Sequence, residues 1–203
     1  MHTSHKKQYE ELSRDLAVHS KRGLPMIVTG VGFWLVVGLI GNFLPEIAVW
    51  AYIYGIGTIF PVGLLVARLM KVNMLAKHNP LSMMAGIVGG MQILFSPVLI
   101  FFVVHIGEWI PFAVCVLTGA HFLPFTIIYR SKMYLYQSFA TVIVGAVFGN
   151  IGDSRKMFEV MPFAIMTVYF ITCLGLVREN KDLLGSTNKP MAVFVSGENY
   201  INR

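Results

Sequence analysis

Long apolar stretches alternate with short polar loops along the chain. Six stretches contain no lysine, arginine or aspartate, and their only acid is Glu159, at one end of the last. Each is close to the ~20 residues that a helix needs to cross about 30 Å of hydrocarbon. The pattern predicts an all-α membrane bundle with six transmembrane helices. The predicted spans are Leu24 to Leu44, Ile47 to Ala67, Leu81 to Val104, Ile110 to Tyr129, Met133 to Ile151 and Phe158 to Val177.

Charge alternates between the loops as regularly as the apolar stretches do. Of the sixteen lysine and arginine residues, fourteen precede span one or follow spans two, four and six, and only Arg155 and Lys156 lie between spans five and six. Short basic loops stay in the cytoplasm, so both termini are predicted to be cytoplasmic. The chain then divides into a cytoplasmic amphipathic segment (1–22), a six-helix domain (23–178) and a cytoplasmic tail (179–203).

The net charge of +6 at pH 7 would suggest a nucleic-acid partner for a soluble protein. In this chain nearly all of the excess lies at one predicted membrane face. Anionic lipid headgroups of the bilayer are the simpler partner for such a face. We therefore expect binding to the lipid surface and no nucleic acid.

A short motif recurs where three of the spans begin. Glu108 to Ala113 and Glu159 to Ala164 both read E-x-x-P-F-A, and Glu46 to Ala51 keeps the acid, an aromatic residue and the alanine. An arginine follows these acids 22, 22 or 19 residues later, at Arg68, Arg130 and Arg178. An acid at one interface and an arginine at the other anchor a helix at both ends. The pattern is typical of three parallel helical hairpins (2+2+2), although short apolar motifs also recur by chance.

Polar side chains near the middle of the spans form the first candidate site. Gln92 and His121 each lie eleven residues, roughly 16 Å, from an end of their span, and are therefore predicted at similar depth. Three further residues extend the set: Thr118, Gln137 and Thr141. Two interpretations stand open. One is a ligand or proton site centred on His121, since imidazole titrates near neutral pH, and the other is an interhelical hydrogen-bond network.

A second candidate site gathers polar residues at the predicted external ends of the helices. Its members are Asn42, Glu46, His105, Glu108, Asn150, Asp153 and Glu159. Together they predict an acidic mouth that attracts cations. His105 and Glu108 would share a helix face if that segment were helical, but two residues are not a coordination set. No metal and no cofactor is therefore expected.

Small residues and prolines indicate how the helices pack. Glycines at four-residue spacing let helices approach closely, and serve either packing within the chain or a homo-oligomer. They occur at Gly86 and Gly90 and at Gly145 and Gly149. Kinks are predicted where prolines fall well inside the spans: Pro61, Pro97 and Pro124.

The two ends of the chain are amphipathic or polar. Tyr9, Leu12, Leu16 and His19 recur at helical spacing, which fits either a helix lying on the cytoplasmic interface or a downward extension of span one. After Val177 the tail is polar. Residues 185–190 are predicted to form a loop, and Met191 to Val195 form a short apolar patch that could bind a partner.

Tyr9 to Leu16 (Y-E-E-L-S-R-D-L), Lys21 to Pro25 (K-R-G-L-P) and a first span carrying Trp34 resemble the opening of a family of small bacterial six-helix membrane proteins. That family is known only as a domain of unknown function. The resemblance extends along the chain in helix number and short loops. It implies a bacterial inner-membrane location, and it transfers no catalytic residue.

The motifs of common enzyme classes are missing from the sequence. There is no G-x-S-x-G, H-E-x-x-H, phosphate-binding loop or dinucleotide fingerprint, so we do not expect an enzyme. The first hypothesis is a small transporter-like or channel-like protein built around His121 and Gln92. The alternative is a non-catalytic membrane interaction or sensor protein that acts through its basic cytoplasmic face and termini.

Overall fold

All secondary structure is helical in the computed structural model of the protein, which describes residues 2–74, 76 and 78–187. Within these described residues ten α-helices follow one another, with short 3₁₀ turns between several of them. They are α1 (His2–Ser20), α2 (Leu24–Phe43), α3 (Ala48–Leu69), α4 (Pro80–Gly90), α5 (Ser96–Ile106), α6 (Ile110–His121), α7 (Leu123–Ile128), α8 (Lys132–Ile151), α9 (Ser154–Glu159) and α10 (Met161–Thr187). The predicted all-α fold is confirmed. The apolar patch Met191 to Val195 lies outside the described residues.

The helix ends gather at two opposite faces of the bundle. At one face, which we call the basic face, residues 20–23, 70–74, 76, 78–79, 129–131 and 178–180 meet. The backbone amide of Asn73 donates to the carbonyl of His19 (3.2 Å), and Asn180 donates to the carbonyl of Lys21 (3.0 Å). At the other, the acidic face, lie the turns 43–47, 106–109 and 152–160, where Asn42 donates to the carbonyl of Glu159 (2.9 Å).

In the part of the chain that the structure describes, five helical segments are long and apolar enough to cross a membrane: His5–Phe43, Pro45–Leu69, Pro80–Ile128, Lys132–Ile151 and Ser154–Gly185. The third has 49 residues and folds back on itself. Ile106 leaves helical geometry (φ −147°, ψ 52°), α4 packs against α7, and α5 packs against α6. This segment therefore leaves the basic face at Pro80 and returns to it after Ile128.

The most extensive packing in the bundle joins α2 to α10. α3 covers another side of α2, while α8 packs against α10 and α6 packs against α8. Glycines make the α2 contact possible. A Cβ at Gly41 would lie 2.3 Å from the carbonyl oxygen of Phe158, and one at Gly30 would lie 2.2 Å from the ring of Tyr169. Phe158 belongs to α9 and Tyr169 to α10, so a larger residue at Gly41 would push α2 away from α9, and one at Gly30 would push it away from α10.

The two glycine pairs singled out in the sequence have different surroundings. A Cβ at Gly145 would meet the sulfur of Cys115 at 2.8 Å, and one at Gly149 would meet the ring of Phe112 at 2.8 Å. That pair packs within the chain, against α6. Nothing lies within 4 Å of a Cβ at Gly86 or Gly90, so this pair faces open space and its role in a homo-oligomer stays a prediction.

Aromatic rings form a continuous column through the middle of the bundle. Successive ring centroids along the column lie 5.5–6.4 Å apart, the range of favourable edge-to-face and offset contacts. Six of these seven side chains are buried. From the acidic to the basic face the column contains Phe158, Tyr52, Trp34, Tyr169, Phe122, Tyr134 and Tyr129. The column forms part of the hydrophobic core of the bundle.

The first two copies of the predicted repeat share their backbone geometry. Leu44 (φ −140°, ψ 57°) and Ile106 (φ −147°, ψ 52°) each precede a 3₁₀ turn with a central glutamate. A left-handed residue also closes each copy: Lys71 (φ 53°) follows the end of α3, and Arg130 (φ 47°) follows the end of α7. Each end carries the two backbone hydrogen bonds of a Schellman motif. Arg130 therefore corresponds to Lys71 in structure, three positions beyond the Arg68 suggested by sequence spacing.

The third copy differs from these two at both ends. Its glutamate, Glu159, closes the short helix α9 instead of standing inside a 3₁₀ turn. Arg178 lies within α10, which continues to Thr187. The loop prediction at 185–187 is therefore wrong, whereas the end of the transmembrane span near Val177 stays a prediction. The residues after Val177 include good helix formers such as glutamate, lysine and leucine, so the helix continues beyond its apolar part.

Two of the three interior prolines coincide with helix breaks. A 3₁₀ segment, Met91–Phe95, separates α4 from α5 just ahead of Pro97, and a turn at Phe122 separates α6 from α7 just ahead of Pro124. Proline lacks the amide that would bond to the preceding turn, which explains both breaks. α3 continues unbroken past Pro61.

The N-terminal helix α1 folds across the basic face. Lys21 (φ 48°), Arg22 (φ 52°) and Gly23 (φ 70°) are all left-handed and turn the chain sharply between α1 and α2. α1 then contacts α4 and α10, and Leu16 on its inner side is fully buried. Of the two arrangements open from sequence, the structure shows a helix lying under the bundle and not an extension of span one.

Candidate functional site

The buried polar network at mid-bundle centres on Gln137, which is 0% exposed. Its amide nitrogen donates to the hydroxyl of Thr141 (3.3 Å), and its carbonyl oxygen accepts from Thr172 (2.5 Å). The thiol of Cys115 donates to the backbone carbonyl of Thr141 (3.0 Å). The network joins α6, α8 and α10. Its ordinary effect is to satisfy polar groups in an apolar interior.

His121 and Gln92 lie outside this network. His121 is 5% exposed and packs between the rings of Phe122 and Phe125, with centroid separations of 5.6 and 5.4 Å. Its Nδ1 atom has no hydrogen-bond partner within the described part of the chain. Gln92 is half-buried and shares with Thr118 a cavity of about 10 Å³, at most the space of one water. The predicted pairing of the two residues stays a prediction.

Two of the four acids of the predicted external mouth, Asp153 and Glu159, are occupied by local contacts. Glu159 accepts from Arg155 (2.7 Å). Asp153 caps α9 by accepting from the backbone amide of Lys156 (3.2 Å) and lies 3.4 Å from its ammonium. This backbone hydrogen bond lowers the pKa of Asp153. Asn150 donates to Ala146 of its own helix. Such contacts stabilise helix ends and neutralise part of the charge predicted to attract cations.

Glu46, His105 and Glu108 are exposed members of the same predicted mouth. The ring of His105 packs on Phe101, with centroids 4.6 Å apart. Ile106 breaks the helix between His105 and Glu108. No continuous helix runs through both residues, so His105 and Glu108 do not share a helix face.

A cavity of about 530 Å³ opens at the basic face, between α1, the end of α7 and the C-terminal part of α10. Four cationic and two acidic side chains line it, together with smaller residues. The lining consists of Lys7, Glu10, Glu11, Ser13, Arg14, Ala17, Arg22, Tyr129, Arg130 and Leu183. We call this space the basic cavity. Its size is in the range of small-molecule sites.

α1 forms one wall of the basic cavity because it hydrogen-bonds to the end of α7. The hydroxyls of Tyr9 and Ser13, one helical turn apart, donate to the carbonyls of Ile127 and Ile128, the latter at 3.0 Å. The last carbonyls of a helix have no partner inside it. The side chains of α1 therefore cap α7 from outside and hold α1 in place.

Arg22 occupies the junction between α1 and α2. Its side chain is 11% exposed, donates to the side-chain oxygen of Asn180 (3.0 Å) and to the carbonyl of Tyr129 (3.4 Å), and lies 3.5 Å from Glu179. Burial lowers the pKa of Arg22, while Glu179 and Tyr134 raise it. The group stays cationic, because guanidinium is not deprotonated in proteins. It links the start of α2 to α10 and to the end of α7.

Asp15, His19 and His78 form a polar cluster on the other side of α1, where it meets the segment ahead of α4. The sequence analysis missed this cluster because Asp15 and His78 are 63 residues apart. The sequence did contain one indication of this cluster. Asp15 and His19 stand one helical turn apart, and Asn79-Pro80 is a typical helix start, which places His78 immediately before a new helix.

Comparison with known proteins identifies the family of the chain. Neither the curated proteins nor the solved structures contain a match. The profile of a family described as a family of unknown function (DUF7010) matches residues 9–179, which include α1 from Tyr9, the apolar helices and the start of the polar end of α10. The chain belongs to this family.

Proposed function

We propose that the protein is a multi-pass inner-membrane protein of a bacterium, with six crossings and both termini in the cytoplasm. The fold-back at Ile106 supports the sixth crossing, because segment 80–128 begins and ends at the basic face. The charge difference between the two faces supports the orientation, since basic loops stay in the cytoplasm. Cysteine accessibility at Lys132 and at Glu108 in intact cells would test it. We expect a membrane-impermeant reagent to label only the second position.

For the activity, we propose a non-catalytic membrane interaction or sensor protein whose basic face and termini bind anionic groups. The observation that carries this proposal is the contrast between two spaces. The basic cavity measures about 530 Å³ and four cationic side chains line it, whereas the cavity beside Gln92 measures about 10 Å³. The ligand favoured by this lining is a phosphate-bearing group, such as the headgroup of an anionic lipid.

Phosphatidylglycerol binding by the full chain in neutral detergent would test the basic cavity. We expect short-chain phosphatidylglycerol to raise the unfolding temperature and phosphatidylcholine to leave it unchanged. Stabilisation by inorganic phosphate alone would indicate a soluble anion instead of a lipid. Lys7→Gln and Arg130→Gln should each weaken binding about fivefold, since each charge near a headgroup contributes about 1 kcal/mol. Arg130→Gln should cause the larger loss of binding, because it also leaves Glu10, now 3.2 Å away, without its cationic partner.

Lys132→Gln is the matched control for this experiment. Lys132 is an exposed lysine that follows the same turn as Arg130, and it does not line the basic cavity. An equal loss of binding in Lys132→Gln and Arg130→Gln would show that general surface charge binds the lipid, and the cavity assignment would then be wrong.

A transporter-like protein is the second candidate, and one observation favours it. The Nδ1 of His121 is buried without a hydrogen-bond partner in the described residues, and it stands at the break between α6 and α7, where a polar ligand would satisfy it. Against it, the aromatic column through the middle of the bundle forms part of its hydrophobic core. Flux of cations or small metabolites into proteoliposomes, abolished by His121→Leu and retained in His105→Leu, would favour transport. No flux in any assay would leave the interaction protein as the better proposal.

A further inference from the structure

Three side chains with metal-binding chemistry meet beside α1. An oxygen of Asp15 lies 2.9 Å from Nε2 of His78, and its other oxygen lies 3.2 Å from Nδ1 of His19. One possible ligand atom from each of the three residues lies within 4.8 Å of the others. Asp15 and His19 belong to α1, whereas His78 belongs to the segment that precedes α4. The cluster therefore joins two elements that are distant in sequence.

These separations suit a tetrahedral metal. Zinc binds histidine nitrogen and carboxylate oxygen at about 2.0–2.2 Å, which places neighbouring ligand atoms about 3.3–3.6 Å apart. The two carboxylate contacts, at 2.9 and 3.2 Å, are already close to that separation. Two histidines and one carboxylate, with a water as the fourth ligand, make a usual set for zinc. Calcium and magnesium prefer oxygen ligands alone.

Asn79 holds the carboxylate of Asp15 in position. Its side-chain nitrogen donates to Asp15 (2.8 Å) and to the backbone carbonyl of Leu12 (2.8 Å), while its oxygen caps α4 through the amide of Leu81 (2.9 Å). The hydrogen bond from Asn79 lowers the pKa of Asp15, and the two histidines act in the same direction. A carboxylate oriented in this way by an outer hydrogen bond is typical of metal sites.

We propose that Asp15, His19 and His78 bind a divalent transition metal of the zinc type, which links α1 to the start of α4. On binding, Nδ1 of His19 exchanges its contact with the backbone carbonyl of Asp15, now 2.9 Å, for the metal, or the ring presents its other nitrogen. The site is separate from the basic cavity, because Lys7, Glu10 and Arg14 lie along a different stripe of α1. Its failure would leave the anion proposal untouched.

Metal binding by the full chain in detergent, purified without a histidine tag and stripped with chelator, would test the site. We expect one Zn²⁺ per chain, and an intense visible absorption of four-coordinate Co²⁺ that Zn²⁺ displaces. His78→Gln and Asp15→Asn should weaken Zn²⁺ binding more than about 100-fold, since outer-shell partners alone contribute about 10–100-fold. Both variants keep groups that can hydrogen-bond, so the fold should survive.

His105→Gln is the control, because His105 is an exposed histidine at the acidic face and should leave binding unchanged. If His78→Gln does not fold, His19→Gln serves in its place. Absence of a stoichiometric site in the wild-type chain would overturn the proposal. So would equal binding in wild type and in the two variants that remove a ligand.

Discussion

The two faces of the bundle differ in how their polar residues are used. At the acidic face most side-chain contacts are local, such as Arg155 with Glu159 four residues later, and Asp153 with Lys156. At the basic face the contacts join distant parts of the chain. Tyr9 and Ser13 reach α7, and Arg22 reaches α10. The acidic face consists of turns that stabilise themselves, whereas the basic face is a tertiary structure in its own right.

This difference indicates where to look for function. Local ion pairs at an exposed surface contribute little to stability and order little beyond their own turn. Long-range polar contacts fix several elements relative to one another, which a binding site requires. In this chain those contacts surround the basic cavity and the cluster of Asp15 with two histidines. Both proposed sites therefore lie at the face that the chain organises most.

Removing one arginine from each face in turn should give the largest difference in the free energy of unfolding. Arg22→Met leaves two acceptors and Glu179 without their cationic partner, so we expect a loss of about 2–3 kcal/mol in unfolding free energy. Arg155→Met should have no measurable effect, because the Arg155 side chain is 83% exposed and such ion pairs are screened by water. Unfolding in detergent measures both. Equal losses would contradict the comparison.

Removing the hydroxyl of Ser13 should have an intermediate effect. Ser13→Ala deprives the buried carbonyl of Ile128 of its donor, and we expect a loss of about 1–2 kcal/mol. α1 should also become more accessible to protease, since it loses one of its contacts with α7. Asn150→Ala is the control, because Asn150 bonds only within its own helix. Unchanged proteolysis of α1 in Ser13→Ala would show that other contacts hold it.

An effect smaller than that of Ser13→Ala is expected at the one hydrogen bond that links two turns of the acidic face in the described residues. Asn42→Ala removes the donor to the carbonyl of Glu159, which is partly exposed and can bond to water instead. We expect a loss of about 0.5 kcal/mol. A loss larger than that of Ser13→Ala would mean that the acidic face is more tightly organised than its contacts indicate.

Much of the fold could be predicted from sequence because helix bounds depend on local patterns. α2 ends one residue before the predicted Leu44, and α8 begins one residue before the predicted Met133. The 3₁₀ segment at Met91–Phe95 was harder to predict from the sequence, since Pro97 is the only local indication of it. The extension of α10 was missed because its polar end lacks the apolar signal used to define spans, although its residues favour helix.

The candidate sites were predicted less well, for a physical reason. Position along a span gives depth in the bundle, so Gln92 and His121 were assigned similar depths. Depth does not say which helices are neighbours, and the packing gave Gln137 a partner in Thr172 of α10 that no pattern suggested. Contacts such as Asp15 with His78 depend on the direction of α1, which the three left-handed residues between α1 and α2 turn across the basic face. That direction is a property of the whole fold.

The left-handed residues at the basic face have a consequence for how the protein is inserted into the membrane. In the described chain the non-glycine residues with positive φ are all basic: Lys21, Arg22, Lys71 and Arg130. Glycine would suit these positions better in the finished protein. In the proposed orientation, however, the same charges tell the insertion machinery which loops to retain. The nascent chain thus needs lysine or arginine where the folded chain would prefer glycine. Lys71→Gly should yield a more stable protein and a larger fraction of wrongly inserted chains.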